Sequence, residues 1–590
     1  MTYRAPVADI AFALQVAGLD RNIAEGLHGE LSDDLVKAVL EEAGRFASEE
    51  LAPGNHQGDV TGSRLSDGRV ITPEGWPDLY RRWCEAGWNG VMAPEEIGGQ
   101  GLPVALWAAT SEMWASANMA FSLAPMLTQG AIEALHVHGS ETLKRLYLEK
   151  IVSGEWTGTM NLTEPQAGSD LAALRTRAKR AGDGSYRITG QKIFITFGEH
   201  DLAGNIIHMV LARLPDAPQG TRGISLFLVP KILVNEDGSL GAANDLRCHS
   251  IEHKMGIHGS PTCTMVYGDH GGATGFLVGE ENKGLACMFT MMNNARLGVG
   301  LQGVAIAEAA RQKALRYAHE RTQGRLPSDP DMVPIVSHPD VKHMLMAMRA
   351  WTAAARAICY RTATALDRAH LAGSEAERRT AQELANLLTP VAKAFSTDIG
   401  TEVASLGVQV HGGMGFIEET GAAQFYRDAR IAQIYEGTNG IQAIDLVGRK
   451  LPQSGGRCVR DFIDSLKASV DEIRAANAPG FGRAGERLDA AVTALGTATE
   501  WMLAAERMDE ERLVGATAYL RLFGLAAGGC ALGQGALAAG RGEGGGAAHL
   551  AIARFFAEHL AVGAAGLAVA ITNGAAAVTG AGADAALTDI

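Results

Sequence analysis

Apolar residues recur at helical spacing through the first quarter of the chain, from about Ser32 to Glu155. The repeat is clear in three groups: Leu35, Val36, Val39 and Leu40; Ile132 and Leu135; and Leu143, Leu146, Tyr147 and Ile151. A segment rich in turn-forming residues, 93–102, interrupts this pattern with a proline and paired glycines. The pattern predicts a helical domain that contains one ordered turn.

Between about residues 156 and 275 the pattern changes to short runs rich in β-branched and aromatic residues. Glycine, proline, asparagine and aspartate bound these runs, as they do at strand ends. The clearest runs are 185–196, 206–213, 223–230 and 262–268. The spacing predicts a small all-β domain.

Helical periodicity returns after Gly284 and continues to about Lys450, interrupted by a long polar connection from Gly324 to Pro339. A short linker, 452–456, then leads into an Ala/Gly-rich helical segment. The fold class predicted is mainly α with a central β domain. The predicted domains are an N-terminal extension (1–35), a helical domain (36–155), a β domain (156–275), a helical bundle (276–450) and an extra C-terminal helical domain (451–590).

Composition adds a constraint on partners. Of the 590 residues, 47% are apolar and 20% are charged, which is the composition of a folded globular protein. The 52 basic residues are outnumbered by 66 acidic ones, giving a formal net charge of −14. The chain therefore lacks the broad basic field of a general nucleic-acid binder, and nucleic acid is not expected as a partner.

Cysteine usage and apolar runs point to a cytoplasmic protein. The seven cysteines are scattered without C-x-x-C spacing, so neither a disulfide framework nor a thiolate zinc site is expected. Arg4 and Asp9 interrupt the N-terminus, which does not read as a signal peptide. The longest uncharged run, between Glu558 and Asp584, is dominated by alanine and glycine and favours a close-packed helix over a membrane span.

Two glycine-bearing segments are candidates for chemistry. In 160–170 the hydroxyls of Thr163 and Ser169 flank a rigid Glu164-Pro165 step and a glycine that allows close backbone approach. On spacing alone, this segment is either a ligand-binding loop or a surface turn. In 409–416 a Gly-x-Gly pair lacks the third glycine and the βαβ context of a dinucleotide fingerprint, so a Rossmann interpretation fails.

Glu436 is the candidate base. It lies between the apolar pair Ile434 and Tyr435 and a Gly-Thr turn, an environment that can desolvate a carboxylate and raise its pKa. The alternative is a surface glutamate at a helix end. Five histidines are too scattered to indicate a metal site, and no metal is predicted; they are His208, His249, His253, His258 and His411.

Taken together, the motifs in this order resemble those of the acyl-CoA dehydrogenase flavoprotein family, over about residues 36–450. The segments that carry the resemblance are 162–170, 188–196, 254–256, 319–321, 409–416 and 426–442. The N-terminal extension and the segment after residue 450 resemble the enlarged branch that includes 3-methylmercaptopropionyl-CoA dehydrogenases and broad-range fatty acyl-CoA dehydrogenases.

The resemblance implies FAD as the cofactor and assigns residues to it. Within one subunit these are Met160, Asn161, Leu162, Thr163, Ser169, Phe194, Ile195 and Thr196, completed by Thr438, Asn439 and Gly440. Arg321, Gln409, Gly412 and Gly413 would contact the FAD of a neighbouring subunit, which implies a homodimer. Many relatives carry tryptophan at position 194, and the stretch after Arg321 is one residue shorter than usual.

The resemblance further implies that Glu436 removes the α proton while FAD accepts the hydride equivalent from Cβ. Some relatives carry the base on another helix, at the position that here is Ala295 and cannot act. The residues expected near substrate are Ser169, Asn293, Arg296 and Gly437, with the Glu436 N–H and a ribityl hydroxyl donating to the thioester carbonyl. An Arg296 held in the core by structural acceptors is the alternative.

The expected reaction is oxidation of an acyl-CoA to a trans-2-enoyl-CoA, with electrons passed to an electron-transfer flavoprotein. The sub-branch favours a short or sulfur-substituted acyl chain, although pocket depth depends on the placement of Met292, Leu297 and Phe416. The alternatives are an oxygen-using oxidase and a DNA-holding homologue. The C-terminal segment has a net charge of −4, which argues against the second.

Overall fold

The computed structural model describes residues 3–29, 31–328, 330–476, 479–540 and 546–588, with backbone alone at 293 and 581. The longer helices are α1 (Val7–Ala17), α2 (Leu19–Ala24), α3 (Asp33–Phe46), α4 (Asn55–Thr61), α5 (Trp76–Glu85), α6 (Val104–His138), α7 (Glu141–Val152), α8 (Gly284–Glu320), α9 (Pro339–Leu371), α10 (Glu375–His411), α11 (Ala422–Ala432) and α12 (Asn439–Asp445). The C-terminal ones are α13 (Arg457–Ala475), α14 (Ala484–Leu503), α15 (Asp509–Gly540), α16 (Gly546–Phe555), α17 (Ala564–Asn573), α18 (Ala576–Thr579) and α19 (Ala581–Leu587).

The strands are short, as the sequence pattern predicts. They are β1 (Arg64–Ser66), β2 (Arg69–Ile71), β3 (Trp156–Asn161), β4 (Arg177–Arg180), β5 (Tyr186–Thr196), β6 (Asn205–Arg213), β7 (Ile224–Pro230), β8 (Ile232–Val234), β9 (Leu240–Ala243), β10 (Leu246–Ile251), β11 (Thr262–Tyr267) and β12 (Ala273–Val278). The four runs identified in the sequence correspond to β5, β6, β7 and β11.

The central β domain is one eight-stranded sheet in the order β10-β11-β5-β12-β7-β6-β3, and β4 pairs with both β5 and β6. Because β4 joins β5 to β6, which are otherwise separated by β12 and β7, the sheet closes into a small barrel. Strands β6 and β7 are buried at nearly every residue, and their side chains fill the barrel and its junction with the helices. The ends of β3 and β5 meet at one rim, where Ile193 N–H donates to the Thr163 carbonyl.

Three long helices, α8, α9 and α10, form the centre of the bundle with α6 of the N-terminal domain packed against α8. The start of α10 is fixed by a capping box, in which Ser374 and Glu377 satisfy each other's backbone N–H groups. Alanines and glycines let the axes of α8 and α10 approach closely. A Cβ on Gly303 would lie 2.3 Å from the Ser396 carbonyl oxygen.

The helical prediction for the N-terminal domain missed one hairpin. Strands β1 and β2 pair in antiparallel register across Asp67-Gly68, where both residues have positive φ angles. Asp-Gly is a common two-residue hairpin turn because both positions tolerate the left-handed conformation. The three-residue strands are too short to produce a recognisable alternation in the sequence.

The C-terminal segment forms a helical domain that packs on α9 and α10, chiefly through α15. Two of its helical stretches, Asp509–Gly540 and Gly546–Asn573, are long and apolar enough to cross a membrane by length and composition. In the first stretch, 67% of the most apolar window is buried, as in the core helix of a globular protein. In the second stretch, 28% of that window is buried. A π-helical turn (Phe556–Leu560) and a 3₁₀ turn (Ala561–Gly563) interrupt the second stretch.

Candidate active site

Glu436 lies in the loop that joins α11 to α12, and the loop holds it in a left-handed backbone conformation. Its φ angle is +54°, and Gly437 follows at +83°. A left-handed conformation in a residue with a side chain costs of order 1–3 kcal/mol, so the surrounding contacts must hold it. Gln442 supplies two, donating from Nε2 to the carbonyls of Glu436 and Gly437 at 3.2 and 3.3 Å.

Lys393, in the middle of α10, also binds this loop. The side chain is fully buried, and Nζ donates to the Gly437 carbonyl and to Oδ1 of Asn439, both at 2.8 Å. Asn439 in turn donates to Asp398 at 2.7 Å. Burial lowers the pKa of Lys393 to about 7, although the nearby Glu436 and Asp398 carboxylates favour its charged form.

The electrostatics of Glu436 combine two opposing effects. Burial raises its pKa above 4.5, while the positive charges of Arg296 and Lys393 lower it. Burial dominates, so the pKa remains raised, which is the direction that strengthens a carboxylate as a base. Among the described residues nothing accepts a hydrogen bond from the Glu436 N–H, which leaves this donor available to a ligand.

Arg296 lies on α8 beside this loop but is buried, with 6% of the residue exposed. Its Nη1 is 3.3 Å from Oδ2 of buried Asp445, and Asp445 also accepts from Arg449 at 2.6 Å. Arg296 is therefore held in the core by structural acceptors, which was the alternative to a contact with CoA. The side chain of Asn293, predicted near substrate, lies outside the described part of the chain.

The predicted flavin segment forms the rim where β3 and β5 end. Phe194 is 58% exposed with a φ angle of +60°, so a large flat ring is presented to solvent at this rim. The hydroxyls of Thr163, Ser169 and Thr196 have no hydrogen-bond partner among the described residues, while the Thr196 carbonyl accepts from the Thr159 hydroxyl. A flat apolar ring bordered by free hydroxyls fits the isoalloxazine of FAD, which needs stacking on its face and hydrogen bonds at its edge.

Other residues of the predicted flavin set face inward. Asn161 is fully buried, accepting from Tyr267 Oη at 2.7 Å, and Met160 and Ile195 are also buried. Leu162 contributes its carbonyl to Lys192 at 2.9 Å. The side chains of Met160, Asn161 and Ile195 therefore pack behind the rim, whereas Leu162 is half-buried.

A buried ion pair holds the flavin loop on the barrel. Lys192 Nζ lies 2.9 Å from Oε1 of Glu164, and both side chains are almost entirely excluded from solvent. Glu164 also accepts from the Thr176 hydroxyl and N–H and from the Arg175 N–H, between 2.6 and 3.0 Å. Burial alone would raise the Glu164 pKa, but these partners outweigh it and lower the pKa to about 2.

The residues predicted to serve a neighbouring subunit lie together on the ends of α8 and α10. Tyr317 and His411 stack there with ring centroids 4.4 Å apart, and Arg321 follows as the exposed residue that ends α8. Gln409, Gly412 and Gly413 are exposed at the end of α10. The Thr438 side chain caps the start of α12, and the Asn439 side chain donates a hydrogen bond to α10. Gly440 is exposed.

A pocket with about 480 Å³ of empty space, part of it open to solvent, lies between α5, α6 and α8. Its wall contains Met126, Gln129, Gly298 and Gln302, and its far end is formed by four tryptophans, Trp83, Trp88, Trp107 and Trp114. Gln302 accepts a hydrogen bond from Tyr435, the residue that precedes Glu436. The Tyr435 side chain thus connects the loop of the candidate base to this pocket, although Glu436 itself does not line it.

Lys393, Gln442 and the tryptophan wall are parts of the site that the sequence pattern did not predict. Lys393 could have been found as the lone charge in the otherwise uncharged stretch from Leu384 to Thr397 of α10. The tryptophans come from three separate elements, and their convergence is visible only in three dimensions. Within the described residues no group of three or more histidine, cysteine or acidic side chains converges as a metal site would.

Four family models match almost the whole chain. They are the N-terminal domain (34–155), middle domain (159–286) and C-terminal domain (282–451) of acyl-CoA dehydrogenase, and a domain described as acetyl-CoA dehydrogenase C-terminal like (459–581). The last falls on the segment that the sequence predicts to be an extra helical domain.

Relatives are similar over most of their length. The chain is 50% identical to 3-methylmercaptopropionyl-CoA dehydrogenase of Ruegeria pomeroyi, over 91% of this chain and 92% of that protein. It is 35% identical to the broad-specificity linear acyl-CoA dehydrogenase of Mycobacterium tuberculosis, over 80% and 78% of the two chains. The fold is similar to that of acyl-CoA dehydrogenase from Bacillus anthracis in complex with FAD, with a TM-score of 0.71 and 22% identity over 95% and 91% of the two chains. The chain thus belongs to the acyl-CoA dehydrogenase family and is an FAD-dependent oxidoreductase that dehydrogenates acyl-CoA thioesters.

Proposed function

We propose that the enzyme oxidises short acyl-CoA thioesters, including 3-methylmercaptopropionyl-CoA, to trans-2-enoyl-CoA, and that Glu436 is the catalytic base. The observation that carries this proposal is the placement of Glu436. A carboxylate with a burial-raised pKa lies on a strained turn, and the preceding residue, Tyr435, bonds to Gln302 in the wall of a tryptophan-lined pocket. The 50% identity to an enzyme named for that thioester supports the choice of acyl group.

Glu436 acts by taking the proton from the carbon next to the thioester carbonyl. This proton becomes acidic enough only when the carbonyl oxygen accepts strong hydrogen bonds in the transition state. The free N–H of Glu436 supplies one such donor, because the left-handed turn directs both loop carbonyls toward Gln442 and Lys393 and leaves the N–H unused. Lys393 is thus a positioning residue for the loop.

FAD, when bound, supplies the acceptor for the hydride equivalent that leaves the β carbon. Phe194 and the hydroxyls of Thr163, Ser169 and Thr196 would hold its ring system at the barrel rim. Arg321, Gln409, Gly412 and Gly413 would reach the FAD of a second copy. Electron-transfer flavoprotein is the acceptor proposed for the reduced cofactor, and the proposed location is the cytoplasm.

The homodimer is proposed because exposed apolar side chains surround the residues assigned to a second copy. Phe416 is 86% exposed, and Met414 and Ile417 beside it are 50% and 45% exposed. A contiguous apolar patch of this kind is unusual on a monomer and typical of an interface. A second copy that covers it would bring Gln409 and Gly412 next to the bound FAD of its partner.

The substrate range is proposed from the cavity. Four tryptophans line this pocket and would block a long acyl chain unless one of them moves, so a short chain is proposed. A thioether sulfur suits this environment, because sulfur packs favourably near aromatic rings. Gly437, Ser169 and Asn293 remain the residues proposed to contact the thioester and the CoA moiety, whereas Arg296, also expected there, is bound to Asp445 in the core.

The test is an anaerobic titration of the FAD-loaded protein with 3-methylmercaptopropionyl-CoA and straight-chain acyl-CoAs of increasing length. Bleaching of the flavin absorbance by the short thioesters, and its loss in Glu436→Gln, is the expected result. Glu74→Gln, an exposed carboxylate, is the matched control. If the wild type binds FAD and none of the thioesters bleaches it, the proposal is wrong.

The electron acceptor is tested in the same preparation. Reoxidation of the bleached flavin by an electron-transfer flavoprotein, with little peroxide formed in air, is expected. Rapid stoichiometric peroxide formation would instead identify an oxygen-using oxidase. A salt-dependent shift of DNA mobility would favour the DNA-holding alternative.

A further inference from the structure

A second cavity lies far along α8 from Arg296, where the N-terminal extension, the bundle and the C-terminal domain meet. It contains about 700 Å³ of empty space, part of it open to solvent. Helix α1 forms one wall, α8 and α9 the floor, and α15 and α16 the other wall. The acyl-CoA dehydrogenation proposed above uses none of its residues.

Most of the wall is apolar. Phe12 and Val16 of α1 face Leu532 of α15 and Ile552 of α16, and small alanines occupy the α9 side. The Phe12 ring lies 4.3 Å from the His549 imidazole, and burial lowers the pKa of this histidine. The wall therefore offers an uncharged surface to an apolar ligand body.

One end of the cavity is lined by charged groups of both signs, because the carboxylates of Glu308 and Asp9 lie there with three arginines. Three guanidinium groups, those of Arg311, Arg349 and Arg356, line the cavity. Arg311 and Arg356 are 9% and 5% exposed, and both use Nε and Nη2 to bind Glu308 or Glu112. Among the described residues, no group accepts a hydrogen bond from Nη1 of either arginine, so each retains one donor group for a ligand.

Arg349 is held more loosely than the other two. Its nearest carboxylate is Asp9 of α1, at 3.8 Å, and both side chains are 40% exposed. That distance is too long for a hydrogen bond, so the five donors of this guanidinium remain largely free. A carboxylate entering the cavity would bind Arg349 in place of Asp9, whose side chain can turn to solvent.

We propose that this cavity binds a free carboxylic acid with an apolar body of medium length. The carboxylate would be bound by Arg349 with Arg311 and Arg356 beside it, and the chain would lie between Phe12, Leu532 and Ile552. Such a ligand links the N-terminal extension to the other two domains, so binding raises the stability of the assembled chain. This proposal stands independently of the substrate assigned to the active site.

The test is calorimetric titration of the full-length FAD-loaded protein with octanoate, and with 1-octanol as the uncharged probe of equal length. Octanoate is expected to bind at least about tenfold more weakly to Arg349→Gln and to Ala357→Phe, which fills the α9 side. Asp9→Asn removes the competing carboxylate and is expected to tighten binding several-fold. Arg474→Gln, an exposed arginine of α13, is the control and leaves binding unchanged.

Two results would overturn the proposal. Equal octanoate affinity in the wild type, Arg349→Gln and Asp9→Asn would show that the carboxylate binds elsewhere, for example in the tryptophan-lined cavity. Equal affinity for octanoate and 1-octanol would show that the guanidinium groups play no part. The Arg349 and Asp9 variants alter partly exposed side chains, so both remain informative if the Ala357 variant does not fold.

Discussion

The Lys393 ammonium lies 2.8 Å from the carbonyl oxygen of Gly437, the residue that follows the candidate base. A cation is thus buried in the centre of α10 and bonded to the loop that presents Glu436. Replacement of Lys393 by methionine keeps most of the side-chain volume but removes the charge and both hydrogen bonds. The turn would then lose one of its two supports, and kcat is expected to fall by about tenfold or more.

Lys393→Met is also expected to change the pH dependence of kcat/KM. Glu436 must be ionised to accept a proton, so kcat/KM falls as the pH drops through its pKa. The Lys393 charge lowers that pKa, and because the pKa of Lys393 is about 7, the charge is largely present below pH 7. Lys393→Met is therefore expected to shift the acid limb of the kcat/KM profile to higher pH.

The measurement is a pH–rate profile of the wild type, Lys393→Met and Lys393→Arg. The arginine variant retains the charge and should restore the position of the acid limb, though not the full kcat. Lys342→Met, an exposed lysine of α9, is the control. An acid limb at the same pH in the wild type and Lys393→Met would contradict the electrostatic role.

A second prediction concerns the buried pair of Glu164 and Lys192. Replacing Glu164 alone by glutamine leaves an unpaired lysine in the barrel, and about 3–5 kcal/mol of unfolding free energy should be lost. Replacing both, as Glu164→Gln with Lys192→Met, removes the unpaired charge and should recover much of that loss. Chemical denaturation of apoprotein samples, scored by far-UV circular dichroism, makes the comparison.

The stability of this pair also depends on pH in a defined direction. The Glu164 pKa is lowered from 4.5 to about 2 in the folded state, so its contribution is complete above pH 4.5 and is lost as the pH falls toward 2. The wild type and Glu164→Gln should therefore converge in stability in acid. Glu155→Gln, in an exposed ion pair with Lys150, should change little at any pH.

The sequence predicted most of the fold because its periodicities are long and regular. Strands β5, β6, β7 and β11 follow the β-branched runs, and α8 through α10 follow the helical repeat. Glu436 was identifiable because an apolar pair precedes it and a Gly-Thr turn follows it. The hairpin of β1 and β2 was missed because three residues are too few for alternation to show.

The support of Glu436 could not be predicted in the same way. Lys393 and Glu436 are 43 positions apart, and only the packing of α10 against α12 brings them together. The role of Arg296 could not be predicted either, because its sequence neighbours are compatible with both a CoA contact and an ion pair in the core. Only the position of Asp445, on a different helix, shows that Arg296 forms an ion pair in the core.

A third prediction uses the tryptophan-lined cavity. Trp107→Ala opens its closed end and should shift the optimum of kcat/KM to longer acyl chains. Gly298→Val acts in the opposite direction, because even a Cβ on Gly298 would lie 3.0 Å from Met126 Sδ. Each methylene accommodated is worth about 0.8 kcal/mol, so neighbouring chain lengths should differ by about fourfold.

The chain-length series is measured with straight-chain acyl-CoAs on FAD-loaded protein. Trp501→Ala, in the C-terminal domain, is the control for general effects of losing a tryptophan. If Trp107→Ala lowers kcat/KM equally for every chain length, this cavity does not hold the acyl chain.

The last prediction concerns the apolar patch around Phe416. With 86% of its surface exposed, this ring is expected to be covered by a second copy, and a charge there would be buried without a partner. Phe416→Asp should therefore convert the dimer to a monomer in light scattering. It should also lower FAD retention in gel filtration, because Arg321, Gln409 and Gly412 would no longer reach the partner's cofactor. Met508→Asp, equally apolar and 62% exposed but in the C-terminal domain, should leave both unchanged. A dimer that persists in Phe416→Asp and retains FAD fully would place the interface elsewhere and remove these residues from the cofactor site.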